Sequence, residues 1–555
     1  MKKSTLAALL MSSLLAGCSD SSSTGSGSNT GASKTYQWQI AHLESVDEDD
    51  LDNKCVIYAT STEETENSTV DEPEYQVITA YKADEDYNII YHNADGSIAQ
   101  TMGSDEISDG LFTISANDVP DNGYVTLEEL SGDLRDGNLG SFMFSVQKSL
   151  LTDLVLNNPQ AQTGTDCING DDQRENEAVE KFVNITQTIG AIDYYQSSYD
   201  IDSIDGNEIA GIISIDYIED ETRDVLITGF DDFDTTSEDR TNLLGWKFIP
   251  SDQLFEALLD SDGNLDFDEN GDIQYVGDGL GETTTLDNND LTDITWSGLG
   301  AETITLNDES GVIVLHEDTT YLWQPIYDES TKLTIDYDTN EVDAWSSYFS
   351  GSVTLIDGDW DFMNFNSLSE EPTSINIMDF STLQSLNSTT ISNSCTDVED
   401  GDGIMTTPDF CVDLRSNFDS DDFTYQRFHI RLQEVDGDDT QTTYQTIISP
   451  VNSEPVVLEA NNINLDTSSI PTLLRVELNL MKTDDNDLDA VQYLMSQNMD
   501  LVSVGLYGSV ISNDAETNFY TDLDGYISTE AETEALYQAV LKTNTTIVQS
   551  VYEAP

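Results

Sequence analysis

Basic side chains are the scarcest chemistry in this chain: 19 Lys plus Arg stand against 108 Asp plus Glu in 555 residues, a formal charge of −89. Such a surface repels phosphate backbones and anionic headgroups, which excludes nucleic acid as a partner. Histidine is nearly as rare, with His42, His92, His316 and His429 the whole supply. None of them lies in an H-E-x-x-H pattern, and neither a G-x-S-x-G elbow nor a P-loop occurs, so no recognised catalytic motif supports an enzyme. Cysteine numbers five, with no C-x-x-C and no nearby Cys/His pair, which excludes the usual thiolate zinc sites. Long apolar runs are also missing. The longest, near Leu6 to Leu15, falls short of the roughly 20 residues a bilayer span needs.

What is present suffices for a folded body. Hydrophobic residues make up 37 % and aromatics 9 %, too many for a disordered polyanion. The charge destabilises any compact state by self-repulsion unless ions screen it. At marine ionic strength the screening length falls to about 4 Å, the condition under which this composition makes sense. A chain of this length also exceeds one core.

The N-terminal residues carry the most specific pattern. Met1-Lys2-Lys3 leads into the apolar run and closes on Leu15-Ala16-Gly17-Cys18, a short positive segment, a short hydrophobic segment and small residues before a cysteine. This is a lipobox, and the chain resembles bacterial lipoproteins. The resemblance implies that residues 1–17 are a removed signal peptide. It also implies that Cys18 becomes the acylated N-terminus, with chains such as palmitate as the hold on the membrane. Ser19 rather than aspartate follows the cysteine, which in such lipoproteins implies sorting to the outer membrane. Residues 18–34 then form the lipidated cysteine and a Ser/Gly tether, a coil of roughly 20 Å reach.

Export fits the remaining cysteines. Cys55, Cys167, Cys395 and Cys411 are an even set, which in an oxidising compartment suggests two disulfides with three connectivities open. Local pairing, Cys395 with Cys411 and Cys55 with Cys167, is the simplest.

Beyond the tether the sequence reads mainly as β, in several β-sandwich-like domains with a few helices. The expected divisions are 35–170, 171–370 and 371–555. Alternating or short buried runs predict strands at Tyr36 to Ile40, Cys55 to Tyr58, Tyr75 to Tyr81, Tyr87 to Tyr91, Ile212 to Ile215, Val225 to Ile227, Phe423 to Val435 and Leu473 to Leu480. Asn93-Ala94-Asp95-Gly96 predicts a hairpin turn. Helices are expected at Val146 to Leu156, at Ala178 to Ile189, and at the C-terminus from Ser528 to about Val551. Five of the six tryptophans, Trp246, Trp296, Trp323, Trp345 and Trp360, lie in the middle segment. Exposed, they would make a sugar-stacking platform; core packing of a β-domain is the preferred reading.

Aspartates spaced two apart are the recurrent candidate constellation, with calcium the cofactor they suggest. Counting from Asp266, the residues Asp266, Asp268, Asn270 and Ile273 fit calcium-loop positions 1, 3, 5 and 8, while Gly277 stands where a bidentate glutamate belongs and Asp278 is the nearest substitute. Partial matches recur at Asp118 to Glu129 and at Tyr520 to Ile527. The alternative for all three is a hydrated Asp-Gly turn. Arg427-Phe428-His429-Ile430-Arg431 places three basic groups on one strand face, either to hold an anion or to pair with cross-strand carboxylates.

Taken together, these features predict a non-enzymatic, surface-facing outer-membrane lipoprotein with a structural or coating role. Its partners would be the membrane, through lipid, and further copies or other surface proteins. In size, lipobox and acidity the chain resembles the large acidic lipoproteins of marine bacteria, among them the lipoprotein of the membranous sheath around polar flagella. A calcium-dependent adhesin or glycan-binding lipoprotein is the alternative, and a lipid-tethered hydrolase the second.

Overall fold

The computed structural model describes residues 34–484 in stretches, together with Val491, Ala539 and 541–553; the longer segments outside the described residues are 1–33, 62–74, 168–177, 232–241, 259–282 and 492–538. The described residues are mainly β, as expected. Their largest element is a thirteen-stranded sheet. It runs from the Thr319–Pro325 and Gly311–His316 hairpin through Ala344–Leu355, Gly358–Ser367, Thr545–Glu553, Thr472–Thr483, Tyr425–Asp436 and Asp439–Pro450. It continues through Leu139–Gln147, Tyr124–Glu129 and Tyr87–His92 to Ile98–Gly103, with Thr303–Leu306 pairing off the path.

Two joints make this one sheet. Asp439–Pro450 pairs in parallel with Leu139–Gln147, and Thr545–Glu553 lies between Gly358–Ser367 and Thr472–Thr483. Strands from all three expected segments therefore share one hydrogen-bonded ladder, and the boundaries near 170 and 370 do not separate independent sheets.

Alternation decides which core each side chain enters, because successive residues of a strand point to opposite faces. Phe428, Ile430, Leu432, Val476, Leu478, Leu480, Phe362 and Val548 all face one core. Tyr444, Ile448, Met481, Ile547, Met363, Phe365, Phe142 and Phe144 face another. A six-stranded sheet containing Thr35–Asp47 and Tyr75–Ala83 covers part of the second face, contributing Trp38, Ile40, Ala83 and Ile114. A four-stranded sheet that includes Val225–Phe230 and Leu243–Ile249 packs on the first through Leu226, Phe230, Trp246 and Phe248. The sheet is thus buried on both sides, a layered sandwich-like arrangement.

The tryptophans are packing residues. Trp246, Trp323, Trp345 and Trp360 are all buried in the first core, with Trp323 centred 4.9 Å from Trp246 and 4.7 Å from Trp345. Trp38 is buried in the second core and Trp296 packs half-buried against the first. That removes the platform on which a glycan-stacking reading would rest.

Three expected helices are corrected. Residues 146–156 finish the Leu139–Gln147 strand, make one 3-10 turn at Lys148–Leu150 and enter the Leu154–Asn157 strand. Ala178–Thr186 is a strand paired with Ile212–Ile218. Its Phe182, Val183 and Ile185 are buried, and burial on both faces produces an apolar spacing that also fits a helix. At the C-terminus, helical residues end at Leu541 and Thr545–Glu553 is a strand. The β-branched run Thr545-Thr546-Ile547-Val548 loses too much χ1 freedom in a helix and fits a pleated surface instead.

The predicted turn at Asn93 to Gly96 does more than close a hairpin. Gly96 sits at φ +84° between the Tyr87–His92 and Ile98–Gly103 strands, and a Cβ there would lie 2.7 Å from the Val457 carbonyl oxygen. Only glycine permits both the left-handed backbone and the approach of the 456–460 segment. The Tyr75–Ala83 and Tyr87–His92 strands do not pair with each other and belong to different sheets, with Asp86 at φ 67° just before the second strand.

Candidate functional site

Several sequence-predicted site residues lie outside the described residues: Cys18, Cys55, the calcium candidate Asp266, Asp268, Asn270 and Asp278 with Ile273, and the Tyr520 to Ile527 match. The match at Asp118 to Glu129 is corrected. Its second half is the Tyr124–Glu129 strand, and Glu129, which would be the bidentate ligand, is fully buried within the sheet. A strand cannot wrap six oxygens around an ion.

Cys395 and Cys411 are bridged, with Cα atoms 5.8 Å apart. Cys167 is also disulfide-bonded, and it sits opposite Tyr81 on the outer edge of the Tyr75–Ala83 strand. On that same edge Val56 sits opposite Thr79.

The basic triplet occupies the face of Tyr425–Asp436 opposite Phe428, Ile430 and Leu432, as the alternation requires. Register places His429 opposite Glu477 and Arg431 opposite Arg475. Arg475 bridges to Glu477 at 3.4 Å and to Glu553 at 3.5 Å, and the Arg431 guanidinium lies 5.4 Å from the Tyr444 ring centroid. His429 Nδ1 and the Thr446 hydroxyl are 2.9 Å apart. Burial pushes His429 down to about 4, with Arg475 and Arg427 acting in the same sense against Glu477. Within the stripe, His429 thus meets a hydroxyl and Arg431 a ring on the neighbouring strand, while the carboxylate bridges are made by Arg475 beside them.

Behind the Tyr87–His92 strand is a buried polar network on the face toward residues 456–463. Ser141 Oγ donates to Glu128 Oε1 at 2.9 Å, the Asn462 amide donates to the same oxygen at 3.0 Å, and Asn88 Nδ2 donates to Oε2 at 3.2 Å. Burial nevertheless raises the Glu128 carboxyl above its usual range. His92 lies between the Glu459 carbonyl, 2.8 Å from Nε2, and the Thr126 hydroxyl, 3.0 Å from Nδ1. These groups fasten residues 456–463 to the sheet.

A different cluster has the composition of a ligand set. Asp224 immediately precedes the Val225–Phe230 strand, and His316 ends the Gly311–His316 strand. His316 pairs with Thr319, so Glu317 lies in the hairpin turn. Glu317 has φ 48°, the left-handed backbone such a tight hairpin turn requires. One ligand atom each from Asp224, His316 and Glu317 lies within 4.8 Å of the others.

The setting fixes the histidine. Phe248 stacks on the His316 ring with centroids 3.9 Å apart, Nδ1 donates to the Glu341 carbonyl oxygen, and Nε2 is 3.2 Å from Asp224 Oδ2. Glu341 is itself held by Lys247, 3.4 Å away, which also bridges Asp287 at 2.8 Å. The Tyr321 hydroxyl donates to the Asp224 carbonyl at 2.9 Å, and burial pushes that phenol up to about 12. The sequence contains His316-Glu317-Asp318 as a visible trace of this cluster. Asp224, 92 residues earlier, is brought to it only by packing between sheets.

Comparison with known protein families, with curated proteins and with solved structures finds no match to this chain.

Proposed function

We propose that this chain is a lipid-anchored, surface-facing outer-membrane protein with a structural or coating role, as a component of a membranous flagellar sheath. The observation that carries this reading is Leu15-Ala16-Gly17-Cys18 behind a short basic and apolar leader. Acyl chains on Cys18 would hold the membrane, since one chain binds reversibly and several bind stably. Two features of the body support a load-carrying role over a recognition role. Its tryptophans are spent on packing, and His429 and Arg431 of its basic stripe are engaged across strands. The acidic surface keeps the body away from anionic headgroups and favours a salty medium.

Fractionation with immunogold imaging tests this. Label on the outer membrane and along sheathed filaments supports the proposal. Label confined to the inner membrane refutes the sorting, and label on the cell body alone refutes the sheath assignment.

A further inference from the structure

We propose that Asp224, His316 and Glu317 bind a divalent transition-metal ion, with zinc the best fit, and that the ion ties the start of the Val225–Phe230 strand to the turn of the Gly311–Pro325 hairpin. The argument starts from the His316 ring. It is 7 % exposed and stacked on Phe248, so it cannot swing out to exchange partners with solvent. Nδ1 faces the Glu341 carbonyl oxygen, which can only accept, so this nitrogen carries a proton. In the neutral ring Nε2 then presents a lone pair, and the atom it faces is Asp224 Oδ2 at 3.2 Å, which is also only an acceptor. Two lone pairs at that distance repel. A positive centre must stand at Nε2, either a second proton or a metal ion.

Three features favour the metal. A proton between Nε2 and Oδ2 needs no third group, yet a carboxylate oxygen of Glu317 lies within 4.8 Å of both. The 3.2 Å separation of Nε2 and Oδ2 matches the edge of about 3.3 Å expected between two ligands bound tetrahedrally at zinc's usual 2.0–2.1 Å. The back of the ring also has the arrangement typical of a ligating imidazole, an N–H held by a backbone carbonyl that fixes tautomer and orientation. Imidazole with carboxylates selects zinc and its neighbours over calcium or magnesium, which take oxygen sets. Three protein ligands leave a fourth position for water. The Lys247 to Glu341 contact, which positions the carbonyl behind His316, makes Glu341 a positioning residue for the site.

Cobalt(II) titration tests the assignment. The full-length mature chain is stripped with chelator, exchanged into buffer containing millimolar calcium and magnesium to occupy the many weak carboxylate sites, and titrated with cobalt. We expect one equivalent to develop an intense visible ligand-field band of a four-coordinate site, and one equivalent of zinc to abolish it. Glu317→Gln, at an exposed turn position, should weaken cobalt binding at least tenfold. Asp224→Asn and His316→Gln should remove the band. Absence of a saturable one-equivalent band overturns the proposal, as does a wild-type titration in all three variants. If His316→Gln fails to fold, Glu317→Gln decides: unchanged affinity and band overturn the assignment. A histidine ¹⁵N spectrum showing both His316 nitrogens protonated and unmoved by zinc would identify a plain ion pair and likewise overturn it.

Discussion

Replacing His92 with glutamine removes a titrating ring from a hydrogen-bonded chain whose directions are all fixed. The Glu459 carbonyl can only accept, so Nε2 donates to it at 2.8 Å. Nδ1 therefore accepts from the Thr126 hydroxyl at 3.0 Å, and Thr126 accepts in turn from Ser145 at 2.8 Å. Protonating Nδ1 would set donor against donor in a place where His92, Thr126 and Ser145 are all fully buried. Burial accordingly lowers His92 from 6.5 to about 4. The folded-state value is depressed, so the unfolded chain binds more protons between these two values. Stability is insensitive to this group above about pH 7 and is lost as pH falls through 6.5 towards 4. Integrating that difference gives a loss of about 2 kcal/mol between pH 7.5 and pH 5 from His92 alone. Urea unfolding of wild type and His92→Gln at both pH values isolates it, because contributions from the acidic surface are common to the two proteins. The variant should start about 1–3 kcal/mol less stable at pH 7.5 through imperfect hydrogen bonding, yet lose about 2 kcal/mol less on acidification. Identical losses would refute the buried neutral ring.

Three further outcomes follow from the same structure. Raising sodium chloride from 0.01 M to 0.5 M shortens the screening length from about 30 Å to a few Å, so the melting temperature should climb; a flat or falling melting temperature would show that self-repulsion at −89 is not a major cost. Because Val56 and Cys167 lie opposite Thr79 and Tyr81 on one edge of a single strand, non-reducing peptide mapping should recover Cys55 joined to Cys167, and a free Cys55 thiol would contradict this. Gly96→Ala combines φ +84° with a Cβ 2.7 Å from the Val457 oxygen and should cost about 2 kcal/mol or more in chemical denaturation; a loss under about 0.5 kcal/mol would mean that the 456–460 segment moves freely.

Local patterns were legible wherever one face of a strand is apolar and the other polar. Phe428, Ile430 and Leu432 alternating with Arg427, His429 and Arg431 specified both the strand and its two faces. Asp95-Gly96 specified its turn, and of the three connectivities left open the simplest local pairing, Cys395 with Cys411, is formed. Legibility failed where both faces are buried. In Ala178–Thr186 the apolar residues fall at spacings compatible with either period, and only pairing with Ile212–Ile218 settles the strand. It failed again where partners are remote. Nothing local indicates that residues 439–450 run parallel to residues 139–147, or that the terminal Thr545–Glu553 strand enters the middle of the sheet. The Asp224 and His316 cluster belongs to this second kind. Each residue alone reads as a strand end, and the sheet-on-sheet contact through Phe248 creates the site.

The central proposal, a body held to a membrane by Cys18, is tested most directly by intact mass and N-terminal peptide analysis of the mature protein purified from membranes, alongside a Cys18→Ser variant. The account predicts that the mature chain begins at Cys18 carrying a diacylglyceryl thioether and an acylated amine, and that the variant is neither acylated nor retained in the membrane fraction. A mature N-terminus at any other residue, or an unmodified Cys18 in membrane-bound protein, would contradict it.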